Sequence, residues 1–471
     1  MDIRFLPHNI HLEDPGLFSS RDPHLRHLQK QSLIHRSELL DLLPRHNTGI
    51  YTVSGGRQTG KTTLLKQWMN ELLESGVAPE CIIYFTGELI DDHHSLVRLF
   101  SDILNERQCP GTISRTCRTG TDIYYILLDE VTYIKGWDKG IKYLADAGML
   151  ENVELLITGS DLLIIKEARM RFPGRRGAAD TVDFHLYPLS FLEAVRLNRQ
   201  ISSDEIERLI SSDVELDDLL INKLYDEFNS YLVHGGFLTA MNDMAMRQTI
   251  LPATFSTYSD WIRGDMLKRH KQEHYLREIL GAIVKRYGSQ VTWNALARDL
   301  SIDHPQTVSI YAALLESMDA VFIQPALLED KLAAAPKKAR KLMFSDPFIF
   351  HAVRAWLNSC NDPFNQQVLP ALNNSDWAAR LAEACVITHY RRKFPTYYIK
   401  AEGELDIAYI DKNRFWPVGI KWTSQLRPKE LKQISKYSNS LILTRSKQSG
   451  EIRGIPTMPL PLALLRLYVG G

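Results

Sequence analysis

Apolar residues in the first third of the chain fall in short unbroken runs, separated by stretches with a helical period. Gly49 to Ser54 (GIYTVS), Cys81 to Phe85 (CIIYF), Tyr124 to Leu128 (YYILL) and Val153 to Thr158 (VELLIT) are rich in β-branched and aromatic residues, which predicts buried strands. Thr62 to Met69 and Ser95 to Leu104 read as helices between them. Strands alternating with helices predict an α/β fold, with a parallel sheet covered on both faces. Upstream, His27 to Leu43 reads as a helix ending at Pro44, and residues 1–25 have no clear period.

Beyond about residue 190 the strand signal fades. Ile201 to Asn229 reads as helical and acidic, and Phe255 to Tyr287 as helical. Trp293 to Leu300 and Thr307 to Ser317 read as two short helices around a tight turn, with a strand at Ala320 to Gln324. Leu328 to Lys341 is rich in Ala and Lys, carries Pro336 and reads as a linker. The last section returns to a mixed pattern. It has a helix at Trp377 to Arg391, strands at Tyr397 to Ile399, Leu405 to Tyr409 and Trp416 to Lys421, and a helix at Lys429 to Tyr437. The expected divisions are an extension over 1–25, a first domain over 26–195, a helical region over 196–335 and a last domain over 336–471.

Composition narrows the class. The 471 residues suggest several domains at about 150 residues each. With 44% hydrophobic and 24% charged residues, the chain is neither disordered nor collagen-like. Lys+Arg and Asp+Glu number 56 each, so any attraction to nucleic acid has to be local. Five scattered cysteines, none in CxxC spacing, read as reduced thiols. The polar N-terminus does not read as a secretory signal, and Leu460 to Val469 is too short to span a bilayer. These features predict a cytoplasmic protein with no membrane partner.

The sharpest chemical signal is Gly55-Gly56-Arg57-Gln58-Thr59-Gly60-Lys61-Thr62, a complete GxxxxGK[ST] between a strand and a helix. Glycines let backbone N–H groups curl around phosphate, and the helix start adds its positive dipole end. Lys61 supplies a mobile charge for the phosphate oxygens, and the Thr62 hydroxyl is placed to ligate Mg²⁺. Thr63 completes the candidate nucleotide-binding set. The strand Tyr124 to Leu128 ends in Asp129 and Glu130. Asp129 is the expected Mg²⁺ holder, and Glu130 the group that orients or deprotonates the attacking water. Ser160, at the end of a further apolar strand, is a candidate contact to that water or to the γ-phosphate. The basic run Arg169 to Gly177 suggests an arginine finger acting across a subunit interface, with Arg175 or Arg176 favoured and Arg171 behind them. A solvated basic loop is the plainer reading of the same residues.

The runs GGRQTGKTTLLKQ, YILLDEVTYIKGWDKGIKYLAD, LLITGSDLLIIKEARMRFPGRRG and FHLYPLSFLEA resemble prokaryotic ATP-binding proteins of the AAA+ superfamily. More narrowly, they resemble AAA-14 ATPases that carry a C-terminal domain of unknown function, DUF4143. Tyr231-Leu232-Val233-His234-Gly235-Gly236-Phe237 resembles that family's YLxxGGFP segment, and Leu342 to Pro347 its KxYFxD strand. The resemblance runs from about residue 36 to the end. It implies a P-loop AAA+ domain, ATP and Mg²⁺ as cofactors, and a winged-helix-like module over Val291 to Ile323. The second helix of that module would offer Gln306, Thr307, Ser309 and Tyr311 to a nucleic-acid groove, although it carries no Lys or Arg.

The last region resembles a PD-(D/E)xK nuclease fold, with Glu383 on a helix, Asp406 on a strand and Lys421 on the next strand. Gly419 stands where the second acid belongs, and Glu404 is expected to face away from the site, so cleavage is read as lost or weakened. From Asp376 onward 16 Lys and Arg face 8 acids, interleaved with Tyr397, Tyr398, Trp416, Trp422 and Tyr437. This suggests a nucleic-acid face. The combined expectation is an oligomeric, Mg²⁺-dependent ATPase that couples nucleotide state to DNA. The rivals are an ATP-gated switch acting on a protein partner and an ATP-coupled nuclease.

Overall fold

The computed structural model describes residues 2–108, 123–160, 166, 170–171, 179, 181–211, 217–423 and 431–468. It divides into two compact units, Met1–Tyr187 and Pro188–Gly471.

The first unit is built on strands β1 (Gly49–Ser54), β2 (Ile82–Thr86), β3 (Tyr124–Asp129), β4 (Val153–Gly159) and β5 (Asp183–His185). They form one sheet in the order β2-β3-β4-β1-β5, every pairing parallel. The continuous apolar runs make sense here, because a parallel sheet is covered on both faces. On one face Ile83, Phe85, Ile126 and Leu155 pack with Leu96 and Phe100 of helix His93–Gln108 and with Ile141 of helix Trp137–Asp146. On the other, Tyr51, Tyr84, Tyr125 and Leu156 pack with Leu64, Leu65 and Trp68 of helix Lys61–Glu74.

Residues 3–29, without a legible period, form a string of short 3-10 and α turns, ending in the helix Pro23–Gln29 capped by Asp22. The single helix expected over 27–43 is absent. The helix instead starts at Pro23, where Asp22 accepts from two backbone N–H groups, and Leu39–Leu42 makes a separate turn. Cys81 is disulfide-bonded, unlike the reduced set expected, whereas Cys360 and Cys385 are free thiols.

The second unit begins with helices. Its small antiparallel sheet β6 (Gln290–Val291), β7 (Val321–Pro325) and β10 (Arg340–Phe344), with helices Trp293–Arg298 and Pro305–Ser317, forms the winged-helix-like module. The stretch read as a linker is the hairpin β8 (Leu327–Leu328) and β9 (Ala333–Ala334) running into β10. Its alanines pair in a ladder, which composition alone did not reveal. Helix Ser375–Lys393 then precedes a six-stranded mixed sheet. Its strands are β11 (Thr396–Lys400), β12 (Glu404–Asp411), β13 (Arg414–Lys421), β14 (Leu441–Thr444), β15 (Gly450–Ile452) and β16 (Ile455–Pro459), in the order β11-β12-β13-β14-β16-β15. Of the helix expected over 429–437, residues 431–437 are described and contain a 3-10 turn at Ile434–Lys436. Among the described residues, no helix is long and apolar enough to cross a membrane.

Two sequence motifs lock this unit internally. The buried Asp346 carboxylate accepts the Phe348 N–H at 2.8 Å, capping helix Pro347–Leu357, and the Gly236 N–H at 2.9 Å. A Cβ on Gly235 would lie 1.7 Å from Asp346, and one on Gly236 would lie 2.1 Å from the Leu189 carbonyl oxygen. The GG pair and the FSD strand end are thus halves of one latch.

Candidate functional site

The phosphate-binding loop leaves β1 at the C-terminal end of the parallel sheet, where open α/β folds place ligands. Its backbone needs left-handed conformations, φ +61° at Gln58 and +97° at Gly60, the second of which a glycine adopts without cost. Gly55 is a glycine for space, since a Cβ there would lie 2.4 Å from the Leu186 carbonyl oxygen. The Thr59 hydroxyl donates to the Gly56 carbonyl at 2.9 Å, and Arg57 donates to the Tyr133 hydroxyl at 2.9 Å. Thr63 is half-buried on the first helical turn.

Lys61 opens the helix. Its buried ammonium donates to the loop's own carbonyls, Gly55 at 3.1 Å and Gly56 at 2.9 Å, and lies 3.7 Å from Glu130. The Thr62 hydroxyl donates to Asp129 Oδ2 at 2.7 Å. The structure thus brings the expected lysine, threonine and both acids into one place. Hydroxyl and carboxylate oxygens are hard donors of the type Mg²⁺ takes, so this pair fits the ion. The Ser160 hydroxyl donates to Glu130 Oε2 at 3.3 Å. Glu130 itself sits in a left-handed conformation, φ +49°, just past the strand end. Close by, Gly87 meets the strand end so tightly that a Cβ would lie 2.5 Å from the Glu130 carbonyl oxygen.

Two members of the site were not anticipated. The Thr158 hydroxyl donates to Asp129 Oδ1 and accepts the Glu130 N–H at 3.0 Å. The Tyr84 hydroxyl donates to Asp129 Oδ2 at 2.7 Å. Asp129 therefore accepts from three hydroxyls, and burial next to it pushes the Tyr84 phenol well above its ordinary range. Thr158 lay in plain view two residues before Ser160. Tyr84 read only as an apolar strand residue.

Arg175 and Arg176 lie outside the described residues. Arg171 forms an ion pair with Asp138 of its own chain.

In the second unit Glu383, Asp406 and Lys421 do come together. Asp406 Oδ2 accepts the Ile420 N–H at 2.8 Å and lies 3.5 Å from the Lys421 ammonium. The centre of the group, however, is Lys341 of β10, which the sequence did not single out. Its buried ammonium lies 2.9 Å from Glu383, 2.5 Å from Glu404 and 3.9 Å from Asp406. Burial alone would lower its pKa, but the three carboxylates hold it above the ordinary lysine range. Glu404 does not face away: residues two apart on a strand share a face, and it joins Asp406 on Lys341. A Cβ on Gly419 would point at Ile434 Cδ1, 3.0 Å away, not at the acids. The three carboxylates converge on the Lys341 ammonium, so their charge is already met by a side-chain cation. Among the described residues, no group of three or more His, Cys, Asp or Glu is arranged to hold a metal ion.

The expected nucleic-acid residues divide. Tyr311 is buried, its hydroxyl accepting the Gln272 N–H at 2.8 Å, and is not offered to a groove. Gln306 is exposed, and Thr307 and Ser309 are half-buried. Tyr398 is buried, and Trp422 packs on Phe228 with ring centroids 5.3 Å apart, whereas Tyr397, Trp416 and Tyr437 are half-buried. Lys400, Lys412, Arg414, Lys447 and Arg453 are exposed.

Residues 47–195 match the family model described as an AAA domain (AAA_14), and residues 225–359 match a domain of unknown function, DUF8612, rather than DUF4143. An uncharacterized protein of Haemophilus influenzae is 26% identical over 276 residues. That stretch is 57% of this chain and 60% of the relative's length. Among solved structures, a Walker-type ATPase of Pyrococcus abyssi superposes with a TM-score of 0.39 at 13% identity, covering 65% of this chain and 91% of that one. The Aeropyrum pernix ORC1 protein, solved in complex with DNA, gives 0.30 at 12% identity, covering 69% and 88%.

Proposed function

We propose that this chain, whose residues 47–195 form an AAA-type P-loop ATPase domain, hydrolyses ATP with Mg²⁺ and couples its nucleotide state to DNA as a homo-oligomer. The observation that carries the ATPase reading is the meeting of Lys61, Thr62, Asp129 and Glu130 at the mouth of the phosphate loop. In that reading the loop N–H groups and Lys61 bind the β- and γ-phosphates, exchanging the loop carbonyls for phosphate oxygens. Thr62 and Asp129 would hold Mg²⁺, which neutralises phosphate charge. Glu130 orients water and accepts its proton, and Ser160 holds the Glu130 carboxylate. Arg175 or Arg176 is the proposed finger across an oligomer interface.

The coupling to DNA is supported by the winged-helix-like module and by the exposed basic residues of the second unit. Metal-dependent cleavage is not part of the proposal, because Lys341 stands among the acids that a metal would need.

The test is ATP turnover by the purified chain with and without single- and double-stranded DNA, at two salt concentrations. DNA stimulation that fades with salt is the expected outcome. Turnover indifferent to DNA, with no DNA binding at low salt, returns the protein-partner switch. Glu130→Gln should keep nucleotide binding and lose about 10²-fold or more of turnover. A variant as active as the wild type would remove Glu130 from the chemistry.

A further inference from the structure

Residues 2–29 precede the family match, which begins at residue 47, yet Phe5, Asn9 and His11 among them lie against β2 next to the site. In a parallel strand, alternate residues direct both backbone groups to the same side. β2 ends the sheet order, so the groups of Ile82 and Tyr84 that do not face β3 need other partners. The leading segment supplies them. His11 Nε2 donates to the Ile82 carbonyl at 3.0 Å. The buried Asn9 side chain grips Tyr84 at both groups: Nδ2 donates to the Tyr84 carbonyl and Oδ1 accepts the Tyr84 N–H, each at 2.8 Å. Phe5 packs edge-on against Phe85, ring centroids 5.0 Å apart.

The same segment also controls the face of the Tyr84 ring. Lys66, on the helix that Lys61 opens, is fully buried. Its ammonium donates to the His8 carbonyl at 2.7 Å, lies 3.5 Å from Asp22, and sits 3.7 Å from the centroid of the Tyr84 ring. A cation on the ring face draws electron density from the phenol and strengthens its O–H as a donor. That O–H is the one given to Asp129 at 2.7 Å, on the oxygen Thr62 also contacts.

We propose that Tyr84 is a positioning residue for the magnesium-holding Asp129, and that residues 2–29, through Asn9 and through the His8 and Asp22 contacts to Lys66, set its position. The inference rests on the nucleotide reading above and deepens it, because a segment outside the matched domain becomes part of the metal site.

The test uses the full chain and a fluorescent ADP analogue, titrated without divalent ion in EDTA and then against Mg²⁺ at fixed nucleotide. Tyr84→Phe removes one oxygen and keeps the ring. It should raise the Mg²⁺ midpoint by about threefold or more while leaving the EDTA affinity within about twofold. Asn9→Ala and Lys66→Met should move the same midpoint in the same direction without touching Asp129. Circular dichroism checks that each variant is folded, and if Lys66→Met is not, Asn9→Ala carries the second half. A folding defect would weaken binding in both conditions equally, and a positioning defect weakens only the Mg²⁺-dependent part. An unchanged midpoint in Tyr84→Phe overturns the inference while the nucleotide reading stands. A shift in Tyr84→Phe with none in Asn9→Ala overturns the role of the leading segment. Absence of any nucleotide binding by the wild type overturns the nucleotide reading itself, and the inference with it.

Discussion

Single residues of the site fall into those the sequence displays and those that only packing reveals. Lys61, Thr62, Asp129 and Glu130 were legible because strand, turn and helix each announce themselves, and because the phosphate loop allows few residue types. Tyr84 and Thr158 were not, since each sits in an apolar run and acquires its role only when β2, β3 and β4 lie side by side. Glu154 was equally hidden. It is buried on β4, and burial pushes its pKa up to about 8, against the opposing pull of the Asn47 N–H and Arg45. The folded state then keeps a proton that the unfolded chain releases near pH 4.5. The stability from that proton is complete below pH 4.5 and disappears as pH rises through about 8. Glu154→Gln mimics the protonated form, so thermal melts from pH 5 to pH 9 should show the wild type losing ground to the variant. The gap should widen by up to about 1.4 kcal/mol per pH unit within that window. Parallel curves would mean that the carboxyl is ionised throughout.

At the scale of elements, β1, β3 and β4 were legible to within a residue, because unbroken apolar runs leave a parallel strand few alternatives. The turns over 3–29 were not, because their order comes from contacts to β2 and to Lys66, not from a period of their own. The GG and FSD motifs were visible but mute until Asp346 was seen to join them. Gly236→Ala should cost the second unit several kcal/mol, about the upper range for a single substitution, because its Cβ meets backbone that cannot move aside. A melt within about a degree of wild type would show that the latch tolerates a side chain. Lys341→Met is the other element-scale case. It leaves Glu383 and Glu404 without their cation and Asp406 with Lys421 alone, and removing one partner of a buried ion pair costs about 3–5 kcal/mol. Denaturant unfolding reads that loss, and a variant as stable as the wild type would reduce Lys341 to a bystander.

For the molecule as a whole, the zero net charge conceals a chain whose last section carries an excess of basic residues. Composition exposed that imbalance, but not that Tyr398 and Trp422 among those charges are turned to packing. The leading segment has a consequence of another kind. A strand at the rim of a sheet, with its N–H and C=O groups free, is a template on which a second copy of the same strand can add. Asn9 and His11 occupy those groups on β2, and the Phe5 and Phe18 rings close over apolar surface beside it. A fragment cut to the boundary of the recognised domain, starting at residue 47, would uncover that rim and strip Lys66 of its Asp22 and His8 partners. Such a fragment would be prone to stack copy upon copy into insoluble ribbons. An investigator who found it inactive would be looking at a loss of solubility, and could mistake it for a loss of catalysis.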